Sequence, residues 1–467
     1  MNGSQPGTHA VVAAMRWAIL ASVACTALGF AAATGYSTPE PPAGLATTRE
    51  TGKAAFTQHV SDLTDEQLAT FALGNRVFST EWVEAPASVE QFDGLGPYYS
   101  RRSCSGCHIR DGRGVPPSGG RDNDGALVVG LARAGEGMLL PDPKYGEQLS
   151  ERSIPGIAPE ARLEVRWQEQ SFRFPDGELA SLRTPELKVL DLPLGPLARD
   201  TQLRPRLAPA VPGVGLLEAI PDSEILARED PDDLDGDGVS GRARRVPDGP
   251  EGSFEIGRFG WKADQSSVLD QVARALRLDI GITSDLQPVT DLTPAESLAA
   301  KRREGGKPEI DPKLLSALVD YCAMLGVPAR RNVSDSSVVR GARLFAATGC
   351  VSCHGGAYTT IASDFVALSK QRIDPGTDLL LHDMGSGLAE SVGDSLVTGA
   401  EWRTPPLWGL GLHGRVSGQR FLLHDGRART LVEAILWHGG EARSSRDRFI
   451  RLKPAERRTL IDYLESL

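Results

Sequence analysis

Cysteine is scarce, with six in 467 residues, too few to staple a chain of this size, so the fold must rest on a buried core. Positive charge is also short. Lys and Arg number 51 against 61 Asp and Glu, and the net charge of -10 excludes a scaffold held on nucleic acid by phosphate contacts. Long apolar runs are missing except for Trp17 to Ala33, which excludes a bundle of membrane spans. That run follows Arg16 and ends in Ala31-Ala32-Ala33 before a Pro-rich stretch, so residues 1–35 read as an export signal peptide or, uncleaved, as a membrane anchor. The expected destination is the periplasm. Gly (51) and Pro (32) are abundant, so many residues are spent on turns, while 40% apolar residues suffice for a core. A chain this long is expected to form two or three domains.

With only 6 Cys and 8 His available, their spacing is informative. Cys104-Ser105-Gly106-Cys107-His108 and Cys350-Val351-Ser352-Cys353-His354 are both C-x-x-C-H, the attachment sequence of c-type haem. Two thiols add across the two vinyl groups, and the adjacent His is thereby placed under the iron. A zinc ribbon keeps its pairs ~15–20 residues apart and does not require a His after each. An exported chain also suits covalent haem better than reduced zinc thiolates. The cofactors expected are two covalently bound haem c groups, on Cys104, Cys107 and His108 and on Cys350, Cys353 and His354.

The surroundings of the two motifs repeat. A helix ending in Gly74-Asn75-Arg76-Val77-Phe78 precedes the first, and one around Gly341-Ala342-Arg343-Leu344-Phe345 precedes the second. Closing helices follow at 311–321 and 454–464. The fold expected is therefore mainly α, with two cytochrome c-like domains in tandem over 50–328 and 337–467 and an irregular, loop-rich insertion over about 112–255, whose short apolar pieces Leu163-Glu164-Val165 and Leu187-Lys188-Val189-Leu190 are expected to form small hairpins. Within the insertion Asp233, Asp235 and Asp237 alternate before Gly238, as in the first half of a calcium loop. Arg244 stands where the closing Glu belongs, so the segment reads either as a calcium site or as a solvated acidic turn. For the far side of the second iron the chain offers His382, Met384, His413, His424 and His438. The first unit has no His between His108 and His354, and Met138 is its one nearby thioether, which leaves the first iron open or held by an oxygen or a side chain from the other unit.

Trp402-Arg403-Thr404-Pro405-Pro406-Leu407 and His424-Asp425-Gly426-Arg427, together with the two C-x-x-C-H motifs, resemble the bacterial di-haem cytochrome c peroxidase and MauG superfamily. Residues 215–221, 257–263 and 437–442 are similar to its di-haem oxidoreductase, or thiol-oxidoreductase-like, branch. The resemblance implies a sixth ligand fourteen residues after His424, which is His438. It also implies an inter-haem Trp at Trp261 and a distal Gln at Gln271. Its acidic proton donor would fall at Gly281, and Asp279 stands two residues before it. Arg403 and Arg427 are expected to pair haem propionates, as Arg does with carboxylates.

The function expected is an exported di-haem oxidoreductase, peroxide-dependent at the first haem with the second as electron relay. Its partners would be a small oxidant such as hydrogen peroxide and a periplasmic electron-donor protein, with no nucleic acid. A di-haem electron carrier and a haem-based sensor of small ligands are the alternatives.

Overall fold

A computed structural model describes Met1 and residues 41–120, 125–248, 253–300 and 307–467; the leader expected over 1–35 lies outside the described residues apart from Met1. Two helix pairs organise the regions around the motifs. Helix α1 (Asp65–Ser79) starts at a capping box in which Thr64 and Gln67 satisfy each other's backbone N–H groups, and it crosses α2 (Pro312–Met324), whose first residue is Pro and whose Asp311 cap accepts from Lys313. In the same way α3 (Ser336–Ala347), capped by Asp335, crosses α4 (Pro454–Ser466).

The two crossings match residue for residue. Gly74 lies so close to α2 that any Cβ would run into the Ala317 carbonyl oxygen and the Tyr321 side chain, and Gly341 meets Thr459 and Tyr463 in the same relation. Four residues on, Phe78 packs against Tyr321 and Phe345 against Tyr463, with ring centroids 5.3 Å apart in both cases. The missing Cβ lets the backbones approach, and the aromatic pair fills the space beyond.

The mainly α expectation is overturned. The chain is 31% helix and 19% strand, distributed over many small sheets, and two cytochrome c-like domains are not what the fold shows. Much of the strand falls in the segment expected to be irregular. There β1 (Leu127–Ala134) pairs antiparallel with β4 (Gln202–Leu207) and with the short strands Leu139–Leu140 and Gln148–Leu149. Between them β2 (Arg162–Arg173) and β3 (Leu179–Leu190) form a twelve-residue antiparallel ribbon. At its base the ribbon alternates, burying Leu163 and Val165 and pairing them with Val189 and Leu187, while residues 168–171 toward the tip are exposed and show no alternation.

The tip of the ribbon reaches the C-terminal helices. Phe174 is buried against Phe449 with Arg457 stacked 4.1 Å over its ring, and Arg457 pairs with Asp176 and Glu178 in the turn. One large core joins Phe78, Leu216, Leu318 and Tyr321 with Tyr358, Leu379 and Trp408, while a second gathers Phe345, Leu431, Phe449 and Leu460 with Phe174 and Leu182 from the ribbon. No helix among the described residues is long and apolar enough to cross a membrane.

Candidate functional site

Both C-x-x-C-H motifs fold as a single helical turn, which brings the two thiols to one side. The His108 N–H donates to the Cys104 carbonyl at 2.9 Å and the His354 N–H to that of Cys350 at 3.0 Å. Each imidazole is then oriented from outside its motif. His108 Nδ1 lies 2.8 Å from the Pro209 carbonyl oxygen, just beyond β4, and His354 Nδ1 lies 2.9 Å from that of Gly376. A carbonyl only accepts, so Nδ1 carries the proton and Nε2 keeps its lone pair, the tautomer a metal-ligating His needs. Burial pushes both side chains down to about 4, so they stay neutral and able to ligate.

The first motif opens on a cavity of about 370 Å³, within the size range of ligand pockets. Its walls carry Cys104, Cys107 and His108, and also Trp261, Gln271 and Asp279. Gln271 lies on the helix Val268–Ala275 and Asp279 on the wider π turn Leu276–Ile280 that continues it. Such turns insert an extra residue and re-aim the side chains after it. Gly281, where the resemblance placed an acid, has a left-handed φ of 76° and sits so near Gly96 that a Cβ would come within 2.6 Å of its Cα. That position cannot hold a carboxylate without strain. Asp279 accepts from Gln148 Nε2 at 2.8 Å, and burial raises its carboxyl above the usual range against that hydrogen bond.

Trp261 donates through Nε1 to the Leu207 carbonyl at 3.0 Å, and the Arg113 guanidinium lies 5.2 Å from its ring centroid. Seven basic residues, Arg101, Arg113, Arg204, Arg206, Lys262, Arg274 and Arg403, line this cavity against three acidic ones, Glu147, Asp264 and Asp279. Burial lowers Arg113 and Arg403 to about 10 and Lys262 to about 7. Arg204 and Arg206 are paired with Glu390 and Arg274 with Glu147, whereas Arg113 and Arg403 donate to backbone carbonyls and would be neutralised by an anionic, largely apolar group. His413, from beyond the second motif, is also on this wall, with a buried Nδ1 that has no hydrogen-bond partner in the protein. The thiols, the oriented imidazole, the cationic wall and this orphan donor or acceptor all fit a haem with its propionates.

Among the five candidates for the far side of the second iron, His438 and His382 lie close enough to His354 to influence its protonation. His438 donates through Nδ1 to the Ala434 carbonyl at 2.7 Å, so its Nε2 also keeps a lone pair. His382 is held at both nitrogens, 2.7 Å from Glu441 and 2.8 Å from Asp378, which raises it to about 12 despite burial and commits it to the charged form. His424 stacks on Trp402 at 3.8 Å and is buried beside Asp425. The Met384 backbone runs alongside Gly439, one residue from His438. Arg427 is bonded to Asp425 and lies over the ring of Trp437, whose buried Nε1 has no partner in the protein. The second site thus also has thiols, ligating nitrogens and an unsatisfied donor suited to haem. Met138 is 59% exposed on a turn and does not line the first cavity.

In the acidic loop the carboxylates that converge are Asp230, Asp233 and Asp235, with oxygens within 4.8 Å of one another. Asp237 instead accepts from Val239 N–H and, at 3.3 Å, from the hydroxyl of Ser352 inside the second C-x-x-C-H motif. Asp230 and Gln148 were not singled out from the sequence. Asp230 sits three residues before the alternating run, and Gln148 reaches Asp279 from a strand 131 positions away.

Residues 36–140 and 152–467 match the model of the family described as "Di-haem oxidoreductase, putative peroxidase". No curated protein matches the chain. Hydrazine synthase of Kuenenia stuttgartiensis, solved under xenon pressure, aligns over 93% of this chain and 97% of its own at 16% identity, with a TM-score of 0.32.

Proposed function

Because the chain belongs to the di-haem oxidoreductase family, we propose that it is an exported c-type di-haem protein that reduces a peroxide in the cavity of His108, with the site of His354 and His438 relaying electrons. The observation that supports this reading is the meeting of Cys104, Cys107 and His108 with Trp261, Gln271 and Asp279 around one cavity. Cys104 and Cys107, and Cys350 and Cys353, would hold the two haems by thioether bonds, with His108, and His354 with His438, offering nitrogen ligands to the irons, and the groups so bound would supply one-electron redox chemistry.

The protein's own part is proton supply, orientation and electrostatics. Asp279, whose carboxyl burial raises above the usual range, is the acid on this wall that would hand a proton to the oxygen leaving as a peroxide bond breaks. Gln271 lines the same cavity and offers an amide to orient the oxygens. Trp261, fixed by Leu207 and Arg113, is a rigid aromatic surface suited to carrying an electron between the sites. The basic wall favours an electron-rich substrate and the propionates.

An electron-donor protein of the periplasm is the partner this reading requires, and the leader over 1–35 would deliver the chain there, cleaved or as an anchor. A calcium ion would sit among Asp230, Asp233 and Asp235, where it would brace the loop that touches Ser352. The test is the spectrum of the purified holoprotein with and without hydrogen peroxide. A high-spin signature that peroxide abolishes, with consumption of reduced donor, supports the reading. Two low-spin irons inert to peroxide overturn it in favour of an electron carrier.

A further inference from the structure

Directly after the first motif the backbone is strained. Arg110 and Asp111 hold left-handed φ of 49° and 61°, whereas after His354 the left-handed position is taken by Gly356. Strain of this kind persists only where the surroundings fix it. Here the Asp111 N–H donates to the His108 carbonyl at 3.0 Å, and the Asp111 carbonyl accepts from the Val211 N–H at 2.9 Å. The side chain is thereby carried to Tyr321, whose hydroxyl donates to Asp111 Oδ1 at 2.8 Å. Asp111 and Tyr321 are 3% and 1% exposed, and among the described residues no cation pairs with the carboxylate.

Tyr321 also stands in a row of aromatic rings. Phe78, on the wall of the first cavity, lies between it and His108, with its centroid 6.0 Å from that of His108 and 5.3 Å from that of Tyr321. On the other side Phe71 is 4.8 Å from Tyr321 and 5.4 Å from His59, which is exposed. One end of the row is at the first motif and the other is in solvent. Within it Tyr321 is the ring that gives up an electron most readily, because a phenol that passes its proton to a base in the same step leaves a neutral radical.

We propose that Tyr321 is a one-electron donor to the first site, with Asp111 as the acceptor of its proton. The inference rests on the peroxide reading above and adds a redox residue that the reading does not use. Reduction of one hydrogen peroxide to two waters takes two electrons and two protons, the protons coming from solvent. A donor protein that delivers electrons singly leaves the first site one electron short, and Tyr321 supplies it. The phenol O–H bond breaks, the electron passes by way of Phe78 to the first site, and the proton passes to Asp111 Oδ1. A tyrosyl radical then stands beside a carboxylic acid. A one-electron reductant at the exposed end of the row restores the electron through Phe71, and Asp111 returns the proton.

The test uses the holoprotein, mixed with hydrogen peroxide without donor protein and frozen within the first turnover. Electron paramagnetic resonance is expected to show a tyrosyl radical, identified by the change in its hyperfine pattern when the protein carries ring-deuterated tyrosine. Tyr321→Phe should lose that signal with the haem spectrum before mixing unchanged, while Tyr463→Phe, at the matching helix crossing beside the second motif, should keep it. In Asp111→Asn the side chain still accepts the phenol's hydrogen bond and tolerates the left-handed φ, but it cannot take the proton. The radical should there form about 10²-fold more slowly, the lower end of what a positioned base contributes, and this variant carries the test should Tyr321→Phe not fold. Ascorbate is expected to quench the signal. A tyrosyl signal that survives Tyr321→Phe, or that forms at the unaltered rate in Asp111→Asn, overturns the assignment, and one that ascorbate leaves untouched overturns the row as the return route. Peroxide consumed with no tyrosyl radical in the unaltered protein overturns the inference and leaves the peroxide reading standing, whereas no reaction with peroxide overturns both.

Discussion

His438 Nδ1 lies 2.7 Å from the carbonyl oxygen of Ala434, one helical turn back, and that bond turns the other nitrogen into an available ligand. His354 is prepared in the same way by Gly376. Replacing His438 by Ala is therefore expected to convert one low-spin haem to high-spin, while Met384→Ala leaves the spectrum nearly unchanged. Optical and electron-resonance spectra of the two variants check this, and a low-spin iron lost only in Met384→Ala would reverse the assignment.

Asp279 gives the pH prediction. Its carboxyl is raised by burial, so the protonated form that can donate is present below its folded pKa and is lost as pH rises through it. The peroxide reaction should fall with rising pH in the unaltered protein. In Asp279→Asn it should be flat with pH and slower by about 10²–10⁴, the usual share of a general acid. A stopped-flow pH series separates the two, and an unchanged profile in the variant would exclude Asp279.

The acidic loop predicts an effect of chelation. If an ion bridges Asp230, Asp233 and Asp235, its removal should lower the melting temperature, because a ligand held only by the folded state stabilises it. It should also perturb the second haem, since Asp237 touches Ser352. Calorimetry and spectra before and after thorough chelation decide the matter. No change in either would make the loop a solvated turn.

The helix crossings predict where a single methyl matters. Gly341→Ala places a Cβ against the Thr459 carbonyl and the Tyr463 side chain, with no flexible group to yield at the carbonyl. Overpacking of this kind costs about 1–3 kcal/mol. Gly414→Ala, where a Cβ would meet nothing within 4 Å, serves as the control. Denaturant unfolding of the two holoproteins measures the difference, and equal midpoints would refute the close contact.

The two C-x-x-C-H motifs were legible from the sequence because they are local. Cys104, Cys107 and His108 lie within five residues, as do Cys350, Cys353 and His354, and each set folds as one helical turn. The helices flanking the motifs were legible for the same reason, since their apolar residues recur on one face, while the caps Thr64, Asp311 and Asp335 came only with the structure. Of the strands of the insertion, the pieces 163–165 and 187–190 were legible as a hairpin and pair as Leu163 with Val189 and Val165 with Leu187, whereas the exposed stretch 168–171 has no reason to alternate.

What only the tertiary structure decided was which distant groups meet. Pro209 and Gly376 set the tautomers of the two His residues, His382 is spent on Asp378 and Glu441, and Met138 faces solvent. Gln148 reaches Asp279 across 131 positions. Such pairs leave no periodic trace in the chain, because the energy that holds them comes from burial and from satisfying polar groups in the folded core, which sequence spacing does not record.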